Sequence, residues 1–253
     1  MTEQEGVICG EIRVIDRAPQ AGDMFAMTKA LADVMAVEGE RLREAAGWVA
    51  ASMVEGGILH LFGAGHSALP AKDIFVRAGS LSNVRVVPMC EELDRLERVP
   101  GVAEALLRTY DMRMGEVMVV ISNSGINPLP IEVALVAKAR GLRTVGITSL
   151  AHSTRSQSRH PDGHRLFDVV DLVLDTHVPY GDAGLQVEGL SAPIAPLSTL
   201  AGLMLVHALI LETIAALTQR DYDPPIRISR NTSMGDAHNA QFIELYGSRI
   251  PEL

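Results

Sequence analysis

Hydroxyls, amides and glycines gather at two places in this chain: Gly63-Ala64-Gly65-His66-Ser67 and Ser122-Asn123-Ser124-Gly125-Ile126-Asn127. Each directly follows an apolar run, Ile58-Leu59-His60-Leu61-Phe62 in the first case and Val117-Met118-Val119-Val120-Ile121 in the second. An apolar run that breaks into small residues and then into a helical pattern reads as the βα turn of a parallel sheet. Glycine there lets the backbone turn tightly and approach a ligand closely. Serine there sets hydroxyls beside the exposed N–H groups of the next helix, which favour an anion. Two such turns in one domain predict a pocket for a phosphorylated small molecule. Its contacts would be Gly63, Gly65, Ser67, Ser122, Asn123, Ser124, Gly125 and Asn127.

Neither turn is a nucleotide fingerprint. The third glycine of a dinucleotide motif is replaced by Ala68, which such motifs tolerate. The next strand candidate, residues 83–87, ends in Pro88-Met89-Cys90, however, with no acid at its tip to hold a ribose; Glu91 and Glu92 follow slightly later. No Gly-Lys-Ser/Thr triplet is present either. What the sequence does offer is acid–base chemistry. Proton transfer to or from a bound substrate needs a carboxylate or imidazole held over it. Glu92 and Glu91 follow a predicted strand, His66 lies inside the first turn, and His207 projects from a long apolar helix.

These groups need a frame, and the periodicity supplies one. Five strand candidates, at residues 58–62, 83–87, 117–121, 144–147 and 172–174, alternate with helical patterns at 70–77, 102–110 and 128–140. A helical pattern over 24–54 precedes them and another over 197–217 follows. This alternation predicts an α/β fold with a five-stranded parallel sheet covered by helices on both faces. Residues 1–22 read as a tail or linker, residues 23–253 as a single domain with a C-terminal extension from about 219. The polar, basic stretch 151–165 follows the fourth strand. Ligand loops of α/β sheets lie at such ends, so Arg155 or Arg159 would add positive charge to the pocket. His160 and His164 have the gap of a metal-ligand pair, with His152 nearby. Pro161 and Gly163 argue against the helix that would put them on one face, and no metal and no cofactor are expected.

Gly63-x-Gly65-x-Ser67 and Ser122-x-Ser124-Gly125 resemble the paired loops of the SIS (sugar isomerase) domain, which binds phosphosugars on a flavodoxin-like three-layer fold. The likeness runs from about residue 24 to about 217. Beyond these loops the chain resembles a phosphoheptose-isomerase-like bacterial branch of SIS proteins. The residues behind that likeness are Thr148-Ser149 with His152-Ser153, Ser158-Arg159-His160 with Gly163, Gly181-Asp182-Ala183, Pro224-Pro225 with Ser229 and Asn231, and Asp236-x-His238-Asn239. The resemblance implies a sugar-phosphate isomerase; a phosphosugar sensor without turnover and a phosphosugar lyase share the same loops. SIS sites are often completed by a neighbouring subunit, which makes His238 and Asn239 candidate contacts, and phosphoheptose isomerases place a histidine on a late helix, as His207 is here. One departure is Asn127, where SIS phosphate loops commonly end in threonine; asparagine donates through an amide instead of a hydroxyl.

Composition narrows the partners. The 253 residues carry a formal net charge of −9, are 47% hydrophobic and only 4% aromatic, and so predict an aliphatic core. Phosphate-backbone recognition needs clustered Lys and Arg, so no nucleic acid is expected. The acidic start Met1-Thr2-Glu3-Gln4-Glu5 has no basic and apolar leader pattern, and Cys9 and Cys90 suit a reducing compartment, so a cytoplasmic location is expected. The apolar stretch 197–217 is interrupted by Ser198, Thr199, His207, Glu212 and Thr213, which speaks for a buried helix and no membrane. The Ala/Leu/Met-rich patterns at 24–54 and 197–217 offer more apolar face than one sheet side needs, which predicts a homodimer or homotetramer.

Overall fold

The structure is a computed structural model that describes residues 10–88 and 95–253. In chain order its elements are β1 (Arg13–Ile15), α1 (Ala21–Met35), a 3-10 turn (Ala36–Glu38), α2 (Gly39–Val54), β2 (Leu59–Gly63), α3 (Ala68–Ile74), β3 (Val84–Val86), α4 (Val102–Leu107) and β4 (Val117–Ile121). There follow α5 (Pro128–Ala139), β5 (Arg143–Thr148), α6 (Leu150–Ser153), α7 (Leu166–Val169), β6 (Leu172–Asp175), β7 (Ala183–Val187), β8 (Ile194–Pro196), α8 (Ser198–Thr218) and α9 (Gly235–Tyr246).

The five expected strands form one parallel sheet in the order β3-β2-β4-β5-β6. Both faces are covered, and the strands β2 and β4 are buried along their whole length. Alternation along the strands sorts the core into two layers. Leu59, Leu61, Val117, Val119, Val145 and Ile147 pack with α1, α2 and α8. Phe62, Met118 and Val120 turn the other way, against α4, α5 and α7. Helix α2 docks through Leu42, Ala45, Ala46, Val49, Ala50 and Met53, an i, i+3, i+4 stripe. Helix α8 is long and apolar enough to cross a membrane by length and composition. Its residues Ala201, Gly202, Leu205, Val206, Leu209 and Ile210 are nevertheless buried in the protein.

The structure departs from the sequence expectations in three places. The pattern over 24–54 is two helices, broken at Ala36–Glu38. Residues 13–15, inside the stretch read as tail, pair in parallel with β7, and β8 pairs antiparallel on the other side of β7. These strands of three to five residues are too short to announce themselves by alternation. The stretch 151–165 begins inside α6 and is not all loop. Glu91, Glu92 and Cys90, and Cys9 near the start, lie outside the described residues.

A charged cluster closes the lower, N-terminal edge of the sheet. His60 on β2 is fully buried, and its Nε2 lies 2.8 Å from Glu116 Oε2. Glu116 also accepts from the backbone N–H of Ile58 (3.0 Å) and from Arg249 Nη2 (3.1 Å), while Arg249 Nε donates to Asp111 (2.8 Å). Burial alone would raise the Glu116 pKa, but the bonds from His60 and Arg249 prevail and hold it at about 2.

Candidate functional site

Register brings the two glycine-serine turns together. Gly63, the last residue of β2, pairs with Ile121, the last residue of β4, so both turns leave the sheet side by side at its C-terminal edge. From β2 the chain goes to β3 on one side, while β4 lies on the other. This is a topological switch point, where open α/β sheets open a crevice. The crevice here is a recess of about 230 Å³, mouth included. It is lined by His66, Ser67 and Pro70 from the first turn and α3, and by Ile121 and Asn123 from the second. Ile147, Thr176, Ser198, Thr199 and Gly202 complete the wall.

Two glycines make these turns possible. A Cβ on Gly63 would stand 2.2 Å from the carbonyl oxygen of Ser67, so only glycine lets the chain fold back onto itself there. Gly125 has φ +63° and fits against Thr148 and Ser153, whose hydroxyls would lie 2.7 and 2.8 Å from an added Cβ.

The upper edge of the sheet is stitched across three strands. The main-chain oxygen of Asn123 accepts from the backbone N–H of Ser149 (2.9 Å) and from Thr148 Oγ1 (3.2 Å). Thr176 Oγ1 donates to Asn123 Oδ1 (3.0 Å), so the donor end of the Asn123 amide is its Nδ2. Ser149 Oγ donates to the carbonyl of Val178 (2.6 Å), and Asp175 Oδ1 accepts from the backbone N–H groups of Leu150 (3.0 Å) and His177 (2.9 Å). His177 has φ +53°, and its Nε2 meets the buried Glu38 at 2.9 Å. The hydrogen bond to Glu38 raises the His177 pKa against the effect of burial, with Asp175 assisting.

The structure distributes the expected site residues unevenly. His66, Ser67 and Asn123 line the recess, and Gly63, Gly65 and Gly125 shape its turns. Ser122 is buried, and its Oγ accepts from the backbone N–H of Gly125 (3.3 Å), which braces the turn from inside. Ser124 is partly exposed. The Asn127 side chain is occupied: its Nδ2 donates to Glu97 (2.8 Å) and its Oδ1 accepts from Arg159 (2.7 Å). Arg159 is thereby tied to the second turn, and its backbone N–H donates to Ile126 (2.9 Å). Arg155 stacks on the Tyr180 ring at 5.0 Å. Neither arginine lines the recess.

His207 is exposed and pairs with Asp73 on α3 at 2.8 Å, a turn and more along α8 from Gly202. His238 donates to the carbonyl of Ile226 (2.9 Å), and Asn239 holds both the N–H and the carbonyl of Ile228 (3.1 and 2.8 Å). These two side chains fasten the C-terminal segment of their own chain. The rings of His160 and His164 lie 5.5 Å apart, and among the described residues no cluster of three or more potential metal ligands occurs. His152 stacks on Tyr180 and accepts from the Gly181 N–H (3.1 Å); burial lowers its pKa. Thr176, Ser198, Thr199 and Gly202 carry no motif and escaped the sequence reading. The one signal was Ser198-Thr199 opening an otherwise apolar helix.

A three-layer parallel sheet with serine-bearing turns at its switch point is the architecture of the SIS domain, and the model of that domain matches residues 24–149. The chain belongs to the UPF0309 family. It is 40% identical over 228 residues to the UPF0309 protein of Geobacillus thermodenitrificans, covering 87% of this chain and 92% of that one. It is 42% identical over 218 residues to the Streptomyces coelicolor member, covering 82% and 87%. Among solved structures, phosphoheptose isomerase from Neisseria gonorrhoeae superposes with a TM-score of 0.55 at 18% identity, over 77% of this chain and 96% of that one. A phosphoheptose isomerase from Francisella tularensis gives 0.52 at 11% identity, over 76% and 95%. These structures share its fold.

Proposed function

We propose that the chain binds a small phosphorylated sugar in the recess at the switch point. The observation that carries this reading is the chemistry of the wall: Ser67, Asn123 and Thr199 offer hydroxyl and amide donors, Thr176 and Ser198 add hydroxyl oxygens whose protons go to Asn123 and Asp182, and no carboxylate is among the described lining residues. Such a wall suits an anion with a polyol attached. Ser124, beside Asn123 in the second turn, would close on the ligand. Removing one donor from a charged ligand costs about 1.5–3 kcal/mol, so Ser67→Ala and Asn123→Ala each weaken a phosphosugar by about tenfold or more. Calorimetric titration with a panel of aldose and ketose phosphates measures this. Unchanged affinity in the double variant would remove the recess as the site.

Turnover would be aldose–ketose isomerisation through an enediol. The base would be Glu92 or Glu91, assisted by His66 at the recess or His207 on α8. Solvent deuterium entering the substrate next to its carbonyl carbon is the test. The sensor reading has its own support: His66 is the one titratable side chain lining the recess among the described residues. Tight binding without exchange or product selects it. In either role we read the protein as a soluble, cytoplasmic homo-oligomer. Phe25 (73% exposed), Val37 (68%) and Leu211 (68%) stand out on helical surfaces and suit a subunit interface. Light scattering is expected to give a multiple of 27.2 kDa, and the monomer mass would rule this out.

A further inference from the structure

Far from the recess, a short antiparallel ladder joins the α3–β3 connection to the segment after α8. Leu81 lies opposite Ile226. The backbone N–H of Arg227 donates to Ser80 (2.9 Å), that of Ser82 to Pro225 (2.8 Å), and that of Gly79 to Arg227 (2.8 Å). Side chains alternate between the faces of such a ladder, and opposite residues share a face. Leu81 and Ile226 turn to the apolar core. Ser80, Ser82 and Arg227 therefore share the other face.

That face holds three polar groups without partners. Ser80 and Ser82 are each 1% exposed and Arg227 is 4% exposed. Ser80 Oγ, Ser82 Oγ and Arg227 Nη1 are buried and make no hydrogen bond. All three can donate, and a guanidinium has no acceptor and stays charged. Among the described residues no carboxylate pairs with it; the charged neighbour that acts on Arg227 is Arg230, of the same sign. Asn83 Oδ1 is also unpartnered, but alternation puts it on the Leu81 face, and its Nδ2 is turned to the carbonyl of Gly57 at 3.4 Å. A buried cation without counter-charge is strongly unfavourable, and donors without an acceptor add to that cost.

We propose that Arg227, Ser80 and Ser82 form a binding site for a small inorganic anion, at the end of the sheet opposite the recess. The anion neutralises the guanidinium, takes hydrogen bonds from all three groups, and clamps the C-terminal segment to the start of β3. The probes are chloride and phosphate, added to the full chain at constant ionic strength, with gluconate as the bulky replacement anion and thermal unfolding as the readout.

The melting temperature of the parent is expected to rise with one or both anions and to saturate. Arg227→Met is expected to lose that rise and to melt above the parent in gluconate alone, because the unpaired charge is gone. This variant keeps the recess intact, so a phosphate effect that survives in it belongs to the recess, and an undiminished chloride effect in it overturns the proposal. Should Arg227→Met not fold, Ser80→Ala/Ser82→Ala serves instead: the anion concentration at half-effect rises at least tenfold. An unmoved midpoint there, or a parent indifferent to both anions, shows that water alone fills the face and overturns the proposal.

Discussion

Replacing Gly63 with alanine is expected to cost the protein most of the phosphosugar affinity proposed for its recess. A Cβ at this position would lie 2.2 Å from the Ser67 carbonyl oxygen and 2.6 Å from its carbon, both main-chain atoms that no rotamer change can move. The first turn must therefore shift, and Ser67 and His66 shift with it, since both line the recess. A displacement of about 1 Å in a positioned group costs on the order of 10²-fold. The same shift loosens the start of α3, so the melting temperature falls as well. Calorimetry and thermal unfolding read the two effects separately. Parent-like values in both would mean that the turn is more pliant than its geometry indicates.

The second large effect concerns the Glu38–His177 pair. Its side chains are 2% and 11% exposed, and the distance is 2.9 Å. Removing one partner of a buried pair strands the other charge and costs about 3–5 kcal/mol, so Glu38→Ala should be among the most destabilising single changes outside the apolar core. The pH dependence follows from the two shifts. The His177 pKa is raised above its ordinary value of 6.5, so its contribution is complete below that pH and is lost as pH rises through the folded value. Glu38 is lowered below 4.5: burial, the largest single influence, opposes ionisation, but the bonds from His177 and the Asp175 backbone together with Arg41 at 3.4 Å outweigh it. Its contribution is complete above that pH and fades on acidification. Stability from this contact therefore peaks between the two, with Asp175, 3.6 Å from His177, also favouring the charged imidazole. Urea midpoints measured across pH for the parent and Glu38→Gln give the test. The variant should lose the decline on the alkaline side, and parallel curves would contradict the assignment.

The main sheet was legible because its central strands β2 and β4 are short runs of mostly apolar residues that end in glycine or serine turns, the pattern of strands buried on both faces. The two glycine-serine turns were legible for the same reason: each ends such a run. Thr176 was not, because a lone threonine after Leu172–Asp175 carries no spacing that marks it. Ser198 and Thr199 read as breaks in an apolar helix and became part of the recess wall only once α8 was seen to start beside Asn123. Asn127 has the residue type of a ligand contact, but Glu97 and Arg159 already occupy its amide. His207 sits on the expected helix, and its partner Asp73, 134 positions earlier, has no sequence signature. The small sheet of β1, β7 and β8 joins residues too far apart, in strands too short, for any local pattern to announce it.

The ion cluster beneath the sheet bears on the order in which the protein is made. Glu116 lies 56 positions after His60 and 133 before Arg249. A ribosome that has released β2 and β4 has placed a carboxylate and an imidazole at the strand starts, but not the guanidinium that completes their bonding. Until residue 249 clears the exit tunnel, that edge stays open to water and its charges stay half-matched. A ribosome-tethered chain with Arg249 still inside the tunnel should hold its parallel sheet loosely and engage chaperones, and one tethered through a linker long enough to bring Arg249 out should tighten.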